Sequence, residues 1–127
     1  MSPRTAVLLA IVAAAALLTA SAFAVTAGSS VRGNPARGKA LFVRPGVFCA
    51  SCHTLKAARS TGRDGPNLDK SKPSYARIVA AVTKGSSPTK RWPTGMPAYS
   101  GRAGAYGELT KARIQDLAAF IYTATHS

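Results

Sequence analysis

The chain is poor in acid, with 4 Asp+Glu against 17 Lys+Arg in 127 residues, and it holds only two cysteines, two histidines and two methionines. Each shortage removes a class of function. A tetrahedral zinc site needs four ligands, and after Cys49, Cys52 and His53 the only other Cys or His is His126, which leaves zinc a weak alternative. A Ser/His/Asp catalytic set would have to use His53 or the penultimate His126, so the machinery of a hydrolytic enzyme is not apparent. No stretch alternates apolar and polar residues with strand quality. A thioredoxin-like sheet that would hold a redox Cys-x-x-Cys at a helix start is therefore not expected. The length allows at most one ordinary domain.

Long apolar runs are missing too, except at the N-terminus. There Arg4 precedes the unbroken apolar residues 6–18, and the small-residue stretch TASAFA follows. This predicts a secretory leader cut after Ala24, where Ala22-Phe23-Ala24 satisfies the small-x-small rule, with Ala22 and Ala27 as neighbouring choices. The alternative is an uncleaved anchor, because residues 6–24 approach the length that spans a bilayer. The expected organisation is a leader or anchor over 1–24, a linker over 25–33 and one domain over 34–127. In either case the domain is exported. It is expected to be periplasmic or otherwise extracytoplasmic, free or tethered to the membrane by residues 6–24.

Removing residues 1–24 takes away Arg4 and no acid, which leaves 16 bases against 4 acids and a net charge of +12. Such a surface suits nucleic acid, an anionic membrane or an acidic protein partner, or it simply keeps the domain soluble. Export and the scatter of bases from Arg32 to Arg113 argue against nucleic acid.

What the chain does have is CASCHT, in which both cysteines and one of the two histidines fall within five positions, Cys49 to His53. In an exported protein two cysteines suggest a disulfide, and a thiol-disulfide couple stays an alternative. The histidine directly after the second cysteine points elsewhere. Cys-x-x-Cys-His is the attachment signature of c-type haem: each thiol adds across a vinyl group, and the histidine is placed under the iron as an axial ligand. His/Met ligation is the electron-transfer choice that raises the reduction potential. Met1 lies in the leader, so Met96, in the Gly/Pro-rich loop PTGMPAYSG, is the methionine available as second ligand. A methionine merely packed under the loop is the plainer reading of Met96. His126 could ligate instead, but it sits where chain ends fray.

With these motifs in order, the chain resembles the class I cytochromes c, the small bacterial single-haem carriers. The resemblance spans residue 34 to about residue 125 and rests on NPARGKALF, CASCH, GPNL at Gly65 to Leu68, MPAYSG, and the closing ARIQDLAAFIY. It implies an all-α cytochrome c fold, with three main helices around one covalently attached haem and long loops. It also implies that the Pro66 carbonyl accepts the ring N–H of His53, which fixes the tautomer. Without the resemblance, DGPN is simply a turn. The resemblance further implies that Gly38 and Phe42 meet Leu117 and Phe120 where the first and last helices cross. The segment RAGAYGE, residues 102–108, looks longer than a compact carrier of the family needs.

The helices can be read without the family. Asn34 is a good N-cap, Pro35 suits the first helical position, and Gly38, Leu41 and Phe42 share a face, giving two to three turns. Tyr75, Ile78, Val79 and Val82 recur at helical spacing between Pro73 and Gly85. Thr110 caps a final helix of about fourteen residues bearing Ile114, Leu117, Ala118 and Ile121, with Leu109 placed to staple against Ile114. Gly38 lets another backbone come close. Between Gly85 and Leu109 lies a long aperiodic loop, uncommon unless it serves a site; here it would cover the haem and deliver Met96, with Trp92 and Tyr99 either against the macrocycle or as plain loop anchors.

Three short helices bury little apolar area against roughly 1–2 kcal/mol of backbone entropy per residue, so the apoprotein is expected to be largely unfolded. The expected function is one-electron transfer by a monomer between redox proteins, steered by the basic surface toward acidic docking sites or anionic headgroups. The alternative is a haem domain with an open or labile sixth site, acting as a ligand sensor or a peroxidase-like enzyme.

Overall fold

The structure, a computed structural model, describes residues 30–100 and 108–127; the expected leader and residues 102–107 of RAGAYGE lie outside the described residues. Val31–Ser127 forms one compact unit. Helix α1, Pro35–Phe42, starts where the sequence says: the Asn34 side chain accepts from the Arg37 backbone N–H, and Pro35 occupies the first turn, where its missing donor costs nothing. A loop leads to α2, the single turn Cys49–Cys52. Then come the two-residue strands β1 (Thr54–Leu55) and β2 (Ser60–Thr61), paired antiparallel in the register Thr54–Thr61 and Leu55–Ser60. Helix α3, Leu68–Ser71, is capped by Asn67. Helix α4, Tyr75–Lys84, is capped by Ser74, and α5, Lys111–His126, by Thr110. The fold is thus helical with three main helices, as expected. The small hairpin is an addition, because two-residue strands are too short to show a period. Among the described residues, no helix is long and apolar enough to cross a membrane.

The core forms where α1 and α5 cross. Phe42 and Leu117 are essentially inaccessible, and the Phe42 and Phe120 rings meet edge to face with centroids 5.8 Å apart. Gly38 makes the crossing possible. A Cβ there would stand 2.0 Å from the Asp116 carbonyl oxygen and 2.7 Å from the Phe120 Cβ. Leu109, Ile114, Ile121, and Ile78 and Val82 of α4 join the same cluster. Packing begins before residue 34: the Tyr75 hydroxyl donates to the Arg32 carbonyl at 2.7 Å. A Cβ on Gly33 would likewise stand only 2.4 Å from the Gln115 carbonyl oxygen.

One buried acid completes the crossing, and neither its residue type nor its spacing signals its role. Asp116 is 5% exposed on α5 and accepts from the Asn34 backbone N–H at 2.6 Å, from Arg37 Nε at 2.8 Å and from Arg37 Nη2 at 3.1 Å. The Arg37 hydrogen bond, with the Asn34 N–H and the positive charge behind it, holds the carboxyl below its usual range against the opposing effect of burial. A depressed carboxyl contributes stability that is present above the ordinary carboxylate range and lost as pH falls through the lower folded-state value. Asp116→Asn is expected to cost about 1–2 kcal/mol at pH 7, the scale of a charged hydrogen bond. The gap in melting temperature between wild type and variant should then close as the pH is lowered through the carboxylate range. A gap that stays constant in acid would show that the charge contributes nothing.

Candidate haem-binding site

Cys49 and Cys52 are the first and last residues of α2, three apart on one helical turn, which sets their Cβ atoms about 5–6 Å apart on the same side. Both thiols are free, Cys49 buried and Cys52 half-buried. Burial pushes the Cys49 thiol up to about 12, and burial followed by the charge of Asp64 raises Cys52 as well. A dithiol redox couple needs the opposite, an accessible thiol with a lowered pKa. The geometry therefore counts against the thiol-disulfide alternative. Among the described residues, no group of three or more His, Cys, Asp or Glu side chains could hold a bare metal ion.

The turn begins at Phe48, whose backbone lies in the left-handed region at φ 61 and ψ 7. Its carbonyl accepts from the Cys52 N–H and from the Ser51 hydroxyl, so the tight start of α2 depends on this conformation. For a bulky aromatic it costs about 1–2 kcal/mol. Nothing in the sequence signals it, since the positions that tolerate positive φ usually hold Gly or Asn.

His53 leaves the helix in extended backbone, and the chain after it folds back to reach its ring. The Thr54 hydroxyl donates to the Gly62 carbonyl at 2.8 Å, the Leu55 N–H to the Ser60 hydroxyl at 3.0 Å, and the Lys56 N–H to the Asp69 carboxylate at 2.9 Å. The Gly65 N–H then donates to the Cys52 carbonyl at 2.8 Å, bringing Gly65 and Pro66 against the imidazole. His53 Nδ1 lies 2.9 Å from the Pro66 carbonyl oxygen. A carbonyl can only accept, so Nδ1 carries the proton and Nε2 keeps its lone pair. Burial lowers the His53 pKa, partly offset by the Pro66 bond, and so favours the neutral ring that ligates metals.

Gly65 is the contact that residue-type reasoning missed. Its absent Cβ would stand 2.7 Å from His53 Cε1 and 3.0 Å from Nδ1. Only the resemblance placed GPNL near the histidine, since spacing alone reads as a turn. Gly65→Ala is expected to push the ring aside, lower the yield of matured protein and shift the visible spectrum of what forms; an unchanged yield and spectrum would mean that the ring has room to move.

Met96 comes from a separate loop. Ser86 and Met96 exchange backbone hydrogen bonds of 2.8 and 3.0 Å, and Gly85 (φ 68) backs so closely on the Met96 carbonyl that a Cβ would stand 2.3 Å from its oxygen. The half-buried Met96 packs against the core cluster that includes Cys49. Tyr99 is a core anchor: it is 3% exposed, its hydroxyl donates to the Val47 carbonyl, and its N–H donates to Val82. Trp92 closes a tight turn with Thr89 and carries the Arg91 guanidinium over its ring at 5.3 Å. His126 stacks on Tyr122 with centroids 4.2 Å apart at the end of α5.

The structure thus brings Cys49, Cys52, His53 and Pro66 into one local assembly and holds Met96 in a pinned loop against the same core. Two adjacent free thiols, an imidazole whose only open nitrogen is Nε2, and a thioether make a donor set that fits a haem.

Comparison with known proteins agrees. Residues 33–121 match the family described as cytochrome C oxidase, cbb3-type, subunit III. Among solved structures, the c-type cytochrome SorU from Sinorhizobium meliloti is 35% identical, over 71% of this chain and 88% of that one, with a TM-score of 0.57. No curated protein matches. The family match spans more than half of the chain and includes CASCH and MPAYSG, so the chain belongs to this cytochrome family, as a small class I c-type cytochrome with a single haem-attachment motif.

Proposed function

We propose that the protein carries single electrons between redox proteins outside the cytoplasm. Its haem would be bound covalently through Cys49 and Cys52 and ligated by His53 and Met96. When bound, that group supplies the one-electron chemistry. The chain's own residues hold it and set its environment: the Pro66 carbonyl orients the imidazole, Gly65 leaves room for the ring, and the 86–96 bridge presents the thioether. The observation that carries the reading is the 2.9 Å contact between His53 Nδ1 and Pro66, which leaves Nε2 as the open nitrogen next to two free thiols.

The apolar residues 6–18 followed by Ala22-Phe23-Ala24 support export to the periplasm or an equivalent compartment. Partners would be acidic at the docking face: of the 15 bases in the described residues only Arg37 forms an ion pair within 4.0 Å, which leaves a strongly positive surface to steer association.

The test is the optical spectrum of protein produced with a haem-attachment apparatus. The reading expects a low-spin spectrum with the weak near-infrared band of sulfur-ligated ferric haem. Rapid carbon monoxide binding to the native ferrous form at neutral pH would instead favour a sensor or a peroxidase-like enzyme.

A further inference from the structure

Three residues beyond Met96, Tyr99 ties together parts of the chain that lie far apart in sequence. Its N–H donates to the Val82 carbonyl of α4 at 3.0 Å, and its own carbonyl accepts from the Leu109 N–H at 2.9 Å, just before α5. Its buried hydroxyl donates to the Val47 carbonyl, 52 positions away and two residues before Cys49. The Cys49 sulfur also lies 3.9 Å from that carbonyl. A sulfur held in a thioether has no proton to donate, which leaves the carbonyl to the tyrosine.

Chain length makes this hydroxyl a ruler. Three residues of extended chain reach at most about 11 Å and two reach about 7 Å, so neither Met96 nor Cys49 can drift far from the contact between Tyr99 and Val47. At its own end Met96 is pinned by the paired backbone bonds with Ser86, with Gly85 packed against its carbonyl. The span 96–99 is thus fixed at both ends and has little slack. A phenylalanine ring would fill the same part of the core. What the hydroxyl adds is a fixed connection between the segment that carries Met96 and the segment that carries Cys49.

We propose that the Tyr99 hydroxyl is a positioning group for the sixth ligand: it holds the Met96 loop in register with the attachment turn and so keeps outside ligands off the iron. The inference rests on the reading of Met96 as second axial ligand and deepens it. A haem bound through Cys49 and Cys52 stays with the attachment turn, so the thioether meets it only while the loop keeps its place relative to that turn. Entry of an outside ligand requires the loop to open, and the apparent affinity scales with the open fraction. A hydrogen bond made only in the closed state therefore sets that fraction.

The test is Tyr99→Phe in the matured holoprotein, with imidazole as the outside ligand of the ferric form and Asp116→Asn for comparison. The Asp116 variant loses hydrogen bonds to Asn34 and Arg37, outside both segments. Removing the tyrosine hydroxyl leaves a buried carbonyl without its donor, so Tyr99→Phe is expected to bind imidazole about fivefold or more tightly than wild type and to show a weaker near-infrared band. Asp116→Asn should bind imidazole as wild type does, even where its melting temperature falls as far. Unchanged affinity in Tyr99→Phe, or an equal gain in both variants, would overturn the positioning role and leave Tyr99 a plain core anchor. A measurement on wild type covers the case in which the Phe variant does not mature. In the ferrous holoprotein the Tyr99 hydroxyl proton should exchange slowly with water and show a nuclear Overhauser contact to Val47; fast exchange without that contact would overturn the proposal. Failure of the underlying reading looks different: if Met96→Ala binds imidazole no more tightly than wild type, Met96 is not the ligand and the proposal falls with it.

Discussion

Replacing Gly38 with valine is expected to destabilise the holoprotein by more than about 3 kcal/mol and to cut its yield sharply. The position faces backbone, not yielding side-chain tips: a Cβ would lie 2.0 Å from the Asp116 carbonyl oxygen and 2.6 Å from its carbon. Neither atom can rotate away, so α1 and α5 would have to separate. Separation would uncover Phe42 and Leu117 and pull Arg37 and the Asn34 N–H away from Asp116. Against a total stability of about 5–15 kcal/mol for a domain, that loss is a large fraction. Thermal unfolding followed at the haem absorption would measure it, and an unchanged melting temperature would contradict the close crossing.

The second large effect is expected at Met96. Met96→Ala removes the side chain but leaves the backbone bonds between residues 86 and 96, so the loop and the fold should survive. What changes is the iron. The sulfur-dependent near-infrared band should vanish, the ferrous form should bind carbon monoxide rapidly, and the reduction potential should fall by on the order of a few tenths of a volt, within the ~0.8 V range that axial ligands control. A variant with the wild-type spectrum and potential would remove Met96 from the site. Should His126 be the second ligand instead, its replacement and not that of Met96 would produce these changes.

The parts of the fold legible in the sequence are those where one residue type solves one local problem. Asn34 and Thr110 satisfy N–H groups that every helix start exposes, and Leu117 and Ile121 mark a buried face by their spacing. Gly38 was legible for the same reason, since a missing side chain inside a helix needs an explanation. Asp116 was not, because its meaning depends on partners 79 and 82 positions away. The two-residue strands were too short for periodicity, and the left-handed Phe48 contradicts what its residue type prefers.

At the site, CASCH carried the expectation of haem attachment because thiol, thiol and imidazole at that spacing serve few other purposes. Pro66 could be placed against His53 only by family resemblance: the contact spans 13 residues and is made by a main-chain carbonyl, which any residue could supply. Gly65 was hidden for a related reason. Its contribution is the space it leaves beside the imidazole.

The most direct test is the intact mass of protein purified from cells with a haem-attachment apparatus, measured after denaturation in acid. The account predicts the mass of the polypeptide plus one haem, retained without the fold because two thioether bonds hold it. The bare polypeptide mass would contradict it.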